Sequence, residues 1–352
     1  MSLLPVSVRR SFTYRLVFTL SGVGAILLMF FLSLSMGSIS FSLHEVIDLL
    51  FFPADVSETR RIILLEFRFP QALTAMLAGA GLAVGGLQMQ ALFRNPLADP
   101  SLLGVSSGAS LGVALLTLAA GRIGGVSLFS AGWAGELSLT LAAFAGSAGI
   151  LLLILAFSSR LKSLTRLLVF GIMIGYLSYS LVGFLKFYSR SDDLQRFVVW
   201  GLGSFSDVSM SRIPVFALAT LLGLLLAFLL VKPLNLLVLG EESARNLGLR
   251  VAPARWAIIF VSGFLTAVVT AYCGPIGFIG LAVPHLSRSA FSTADHFVLV
   301  PLSAMLGSAL SLACLLVIRL PIFGGALPVN AVTSLVGAPV VMYVLLKSRQ
   351  WK

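Results

Sequence analysis

From Phe69 to Phe93 the chain runs 25 residues without a charged side chain, long enough as a helix to cross a bilayer. A polar break with two prolines, RNPLADP (94–100), stops it, and a second apolar run follows at once. Small residues return at every fourth position in both runs: Ala75, Gly79 and Ala83; Gly81 and Gly85; Gly104, Gly108 and Gly112. At helical spacing each set lines one face, where a second helix can approach backbone to backbone. Lipid supplies no hydrophobic drive between helices, so such close contact must hold them together. The stretch predicts tightly packed transmembrane helices.

The whole composition agrees. A mean hydropathy of +1.04 with 58% hydrophobic and 11% charged residues excludes an ordinary soluble domain. Uncharged runs predict ten spans, near 16–36, 69–93, 101–121, 137–159, 167–185, 213–231, 256–273, 276–290, 297–318 and 328–346. Residues 256–287 hold no Asp, Glu, Lys or Arg, too many for one upright crossing. CGPIG (273–277) divides them, since Pro and paired glycines break a helix. The expected fold is an all-α polytopic membrane protein, one transmembrane domain over 1–352. No secretory cleavage pattern follows the first apolar run.

Ten crossings place both termini on one side. With that side cytoplasmic, the segments facing it hold 15 of the 24 Lys and Arg, and of the 13 acids only Asp99, Glu241, Glu242 and Asp295. The net charge of +11 is then the ordinary bias of membrane insertion, and nucleic acid is not needed to explain it.

Two outer segments are more than connectors. In FSLHEVIDLLFF (41–52), Leu43, Val46, Ile47 and Leu50 share one face, and Ser42 with Glu45 fits a capping box; an interfacial amphipathic helix is expected. Residues 186–212 read as a loop at the outer mouth. On the inner side, LGEESARNLGLRV (239–251) opens on Gly240 and two acids and closes at Gly248, a candidate C-cap, with Glu241 four residues before Arg245.

Little in the chain suggests covalent chemistry. His44, His285 and His296 are isolated, and Cys273 and Cys314 have no ligand spacing. No metal site, catalytic cluster or bound cofactor is expected. No charged residue falls at the predicted centre of a span, where an ion-coupled carrier usually keeps one.

Four motifs in order resemble the FecCD-type permeases of binding-protein-dependent ABC importers for iron–siderophore complexes, haem and cobalamin. They are Arg68-x-Pro70 with Gln90, Arg94–Ala98 with Pro100 and Leu103, Gly104, Gly108 and Ala109; the loop 239–251; GPIGFIGLAVPHLSR (274–288); and LPVNAVTSLVGAPVVMYVLLK (327–347). Two departures stand out, Gln71 where the family often has a second Arg and Asn330 in place of a Gly. The resemblance implies the type II permease architecture in a bacterial inner membrane. It implies a second permease subunit, with a homodimer expected over a heterodimer. It also implies cytoplasmic ATPase subunits that alone bind ATP and Mg, and a periplasmic or lipid-anchored substrate-binding protein.

By the same resemblance, Glu242, Ala244, Leu247 and Gly248 would contact the ATPase as a coupling helix. Arg68 and Arg319 would dock the binding protein. Asn95 and Leu97 would form the cytoplasmic gate. Gln88 and Gln90 of span 2 are candidates for the pathway, beside Gly171, Gly175, Tyr176, Ser178 and Ser180 of span 5. His285 and Arg288 are expected to be structural. An iron chelate is the expected cargo, with haem or cobalamin the alternative. A secondary carrier lacks its intramembrane charge, and a membrane enzyme lacks its catalytic cluster.

Overall fold

The computed structural model describes residues 6–37, 39–51, 57–119, 133–158, 160–161, 163–320 and 327–347. Every regular element among them is helical: α1 (Val6–Ser35), α2 (Leu43–Phe51), α3 (Glu58–Phe93), α4 (Val105–Ala119), α5 (Trp133–Ser158), α6 (Leu164–Phe187), α7 (Ser191–Gly201), α8 (Ile213–Leu229), α9 (Val231–Val238), α10 (Glu241–Asn246), α11 (Val251–Cys273), α12 (Ile279–Phe291), α13 (His296–Ile318) and α14 (Val329–Lys347). Ten of these, α1, α3–α6, α8 and α11–α14, coincide with the ten expected spans.

The boundaries differ from expectation for local reasons. α3 begins eleven residues early, at Glu58. Pro70 cannot donate to the carbonyl of residue 66, and its ring would crowd that turn; the helix widens into a π-turn at Ile63–Arg68 and runs on. α4 begins late. The Asp99 side chain accepts from the Ser101 N–H and opens a 3₁₀ turn, Pro100–Leu103, and Gly104 at φ 84° lets the chain reverse into the helix. α8 and α9 meet at 48°, because Pro233 has no N–H for the carbonyl one turn back. α12 has 13 residues, about 20 Å at 1.5 Å each. It is shorter than a bilayer core, so it completes its crossing only with the CGPIG segment that precedes it.

α3 is the axis of the bundle: 83% of its most apolar window is buried, against 11% for α1. The small-residue faces serve as the sequence predicts. A Cβ on Gly79 would collide with the Gly307 carbonyl of α13, and one on Gly86 with the Gly280 carbonyl of α12. Gly108 and Gly112 of α4 meet Gly146 and Ala142 of α5 in the same way. Polar side chains then tie the backbones together: Ser262 Oγ donates to Gly85 O at 2.8 Å, Ser308 Oγ to Met76 O at 2.9 Å and Ser147 Oγ to Val105 O at 3.0 Å. Cys273 and Cys314 are free and buried.

The capping box forms as read. Ser42 N–H donates to Glu45 Oε2 at 2.8 Å and Glu45 N–H to Ser42 Oγ at 3.2 Å. That first bond, with Arg60 nearby, holds the exposed Glu45 carboxyl below its usual range. The buried face of α2 is Val46 and Leu49, whereas Leu43 and Ile47 are about half exposed. Residue 52 lies outside the described residues. Within 186–212, expected as a loop, Ser191–Gly201 is helical with Asp192 and Asp193 in its first turn, where carboxylates favour a helix N-terminus.

Candidate functional site

Residues expected to act gather at the two ends of the bundle. At the end holding α2 and α7, Arg68 does not sit at a free helix mouth. It lies within α3, 5% exposed, and donates from Nη1 to Leu34 O at 2.8 Å and Ser35 O at 3.1 Å, and from Nη2 to Ile39 O. Its guanidinium also lies 4.7 Å from the Phe41 ring centroid. The last carbonyls of α1 have no partner within their helix, and this cation satisfies them while favouring the negative end of the helix dipole.

Arg319, just past α13, is half-buried. It donates to Ser33 O and to Gln71 Oε1, and Gln71 Nε2 donates to Ser206 Oγ at 2.5 Å. The Gln that departs from the family pattern is thus the partner of the second arginine. A guanidinium at position 71 could not accept that bond. Arg60 is engaged with Glu45.

Asn330, the other departure, is also put to use. Its Oδ1 accepts from Gly277 N–H at 3.1 Å and its N–H donates to Leu202 O at 3.1 Å. The CGPIG break, the α7 exit and the start of α14 are joined at this one residue. Within 186–212, Asp192, Trp200 and Asp207 line a cavity of about 500 Å³.

At the opposite, basic end, α10 stands between Gly240 (φ 105°) and Gly248 (φ 87°). Gly248 N–H bonds to Arg245 O and Leu249 N–H to Ala244 O, both at 2.9 Å, the C-cap that the glycine predicts. Glu242, Leu247 and Gly248 are exposed. Ala244 is not: at 0% exposure it packs into the core under α10, so it anchors the helix and offers no contact surface. Glu241 pairs with Arg255 of α11 at 2.5 Å rather than with Arg245. Sequence reading missed Arg255 because it set the start of that span at residue 256, and α11 begins at Val251.

The RNPLADP connection lies beside α10. Arg94 ends α3 in the left-handed region, φ 49°, and its side chain reaches Val238 O at 3.4 Å. Asn95 Oδ1 accepts from Leu97 N–H at 3.0 Å, an Asx turn that leaves Leu97 40% exposed. The His285 ring bonds to Pro96 O at 2.9 Å, tying α12 to this turn as a structural histidine would. Gln90 is spanned by α12: its Nε2 donates to Leu281 O at 3.2 Å and its Oε1 accepts from Arg288 at 2.6 Å.

The pathway candidates separate. Gln88 is 0% and Gln90 3% exposed, so both lie inside the subunit. On α6, Gly171 and Ser178 are buried while Tyr176 and Ser180 are exposed. No group of three or more His, Cys, Asp and Glu stands close enough to hold a metal ion among the described residues.

An all-helical bundle of long apolar helices among the described residues has the form of a multi-pass membrane protein. The profile of the FecCD transport family matches residues 25–347, and the chain belongs to that family. It is similar to the vitamin B12 import system permease protein BtuC of Klebsiella pneumoniae subsp. pneumoniae, 37% identical over 295 residues, 84% of this chain and 85% of the relative. To the protein of the same name from Salmonella typhi it is 38% identical over 298 residues, 84% and 87%. A solved inward-facing structure described as a metal-chelate type ABC transporter superposes with a TM-score of 0.80 at 31% identity, covering 93% of this chain and 98% of that one. The chain is therefore a permease of the ABC importer kind.

Proposed function

We propose that the chain is the membrane-spanning subunit of an importer for a bulky metal chelate, driven by ATPase subunits that it does not itself contain. The observation that carries this reading is α10. An exposed helix-turn, held down by Ala244 and the Glu241–Arg255 pair, follows directly on the end of α9, whose Val238 carbonyl is held by Arg94 of the gate connection. A push on Glu242, Leu247 and Gly248 by an ATPase can thereby move the turn that carries Asn95 and Leu97. The basic end is cytoplasmic in this reading, with both termini on that side of a bacterial inner membrane. Two copies of the chain enclose the pathway, with the exposed side of α6 among its walls.

At the other end Arg319 is the docking arginine for a soluble binding protein. Arg68 shapes the corner from which it projects, because its own donors already hold α1. The expected cargo is a ferric siderophore. The names of the relatives support a second reading, vitamin B12, and both are bulky chelates suited to a conduit lined without fixed charge. Co-purification from membranes tests the assembly: an ATPase should accompany the wild-type chain. A chain that transports its cargo with no ATPase bound would instead be a secondary carrier.

A further inference from the structure

A cavity of about 450 Å³ opens at the basic end between the last turn of α3, the Asn95–Pro96 turn, the end of α9 and the α12–α13 corner. Arg94, Arg288, Gln90, Asn95 and His296 supply its polar wall, and none of its lining residues is acidic. Arg288 is half-buried and spends one bond on Gln90, at 2.6 Å. Among the described residues no carboxylate pairs with it or with Arg94. A guanidinium has five N–H donors, and leaving them unmet away from water costs stability.

His296 is 2% exposed. Asn235 Nδ2 donates to Asp295 Oδ1 at 2.7 Å, so its Oδ1 is the atom that accepts from His296 Nδ1, also at 2.7 Å. The proton is thereby placed on Nδ1. Nε2 is left with a lone pair, buried and without a partner. Asp295, the nearest acid, is already engaged by Asn235 and by the Phe297 N–H at 2.9 Å. Two guanidiniums with no carboxylate partner beside a buried acceptor match a phosphate oxyanion with a hydroxyl on or next to it, as in hydrogen phosphate or the glycerol end of a phosphatidylglycerol head group.

We propose that this cavity binds a phosphate group, from a phospholipid head group or from a soluble phosphate compound. The full chain would be placed in nanodiscs of zwitterionic lipid and its thermal unfolding followed with inorganic phosphate, and separately with phosphatidylglycerol added to the bilayer. Wild type should gain about 2 °C or more at saturation. Arg288→Gln and Arg94→Gln should abolish the gain. Arg94 is exposed with one long contact, so its variant should fold even if the Arg288 variant does not. A gain with phosphatidylglycerol alone supports a head group, and a gain with both probes supports a soluble phosphate compound. No gain, or an equal gain in wild type and Arg94→Gln, overturns the proposal. A gain that disappears once the ATPase is bound also overturns it, marking the cavity as the seat of a partner's carboxylate.

Discussion

Arg319 donates to the side-chain oxygen of Gln71, joining the end of α13 to the first turn after the π-turn of α3. The same glutamine passes its amide to Ser206, so a single cation is aimed by a relay across three segments. Arg319→Glu should lower binding-protein affinity at least tenfold, since close interfacial charge pairs couple by about 1.5–7 kcal/mol. Gln71→Ala should weaken it less, by the loss of one bond, about 0.5–1.5 kcal/mol. Titration of the nanodisc-embedded complex with binding protein checks both, and an unchanged affinity for the Glu variant would remove Arg319 from the docking site.

Arg68 should behave differently. Arg68→Met removes two bonds to the end of α1 and one to Ile39 beyond it and should cost about 1.5–3 kcal/mol of stability, read as a lower unfolding midpoint. Binding-protein affinity of the folded fraction should stay near wild type. A large loss of affinity at normal stability would make Arg68 a docking residue after all.

Close packing is tested by two glycines of opposite surroundings. Gly79→Ala drives a methyl group into the backbone of Gly307 and should destabilise by about 1–3 kcal/mol. Gly149→Ala meets nothing within 4 Å and should be neutral or gain up to about 1 kcal/mol from helix propensity. Similar unfolding midpoints for the two variants would contradict the α3–α13 contact.

On α10, exposure separates coupling from support. Glu242→Lys and Leu247→Asp should leave the unfolding midpoint within about 0.5 kcal/mol of wild type and reduce ATPase recovered in pull-downs. Ala244→Asp buries a carboxylate in the core and should destabilise the subunit itself. Full ATPase recovery with Leu247→Asp would displace the coupling contact from this helix.

Nine of the ten spans were legible because each is a long uncharged run, the exception being the short α12 with its Arg288, and the contacts among them because small residues at every fourth position let helices pack closely in lipid. Gly248 announced its C-cap, and Ser42 with Glu45 announced α2. What escaped depends on the third dimension. The inward turn of Ala244 is set by α11 beneath it, and the Glu241–Arg255 pair joins residues that no short motif connects. Gln88 and Gln90 looked like pathway residues because an amide in a membrane span suggests function. Their burial follows from the central place of α3, which no local pattern records. Gln71 reads as a lost arginine in the sequence alone, whereas in the fold it is the acceptor for Arg319.

ATP-driven import of a metal chelate can be read in one assay, uptake into proteoliposomes. The chain would be reconstituted with its ATPase and binding protein, ATP enclosed with the ATPase domains, and labelled ferric siderophore or vitamin B12 offered on the other side. One of them should accumulate, in a way that requires ATP and falls sharply with Leu247→Asp. Accumulation of either without ATP, or of neither by a complex that hydrolyses ATP and binds its loaded partner, would contradict it.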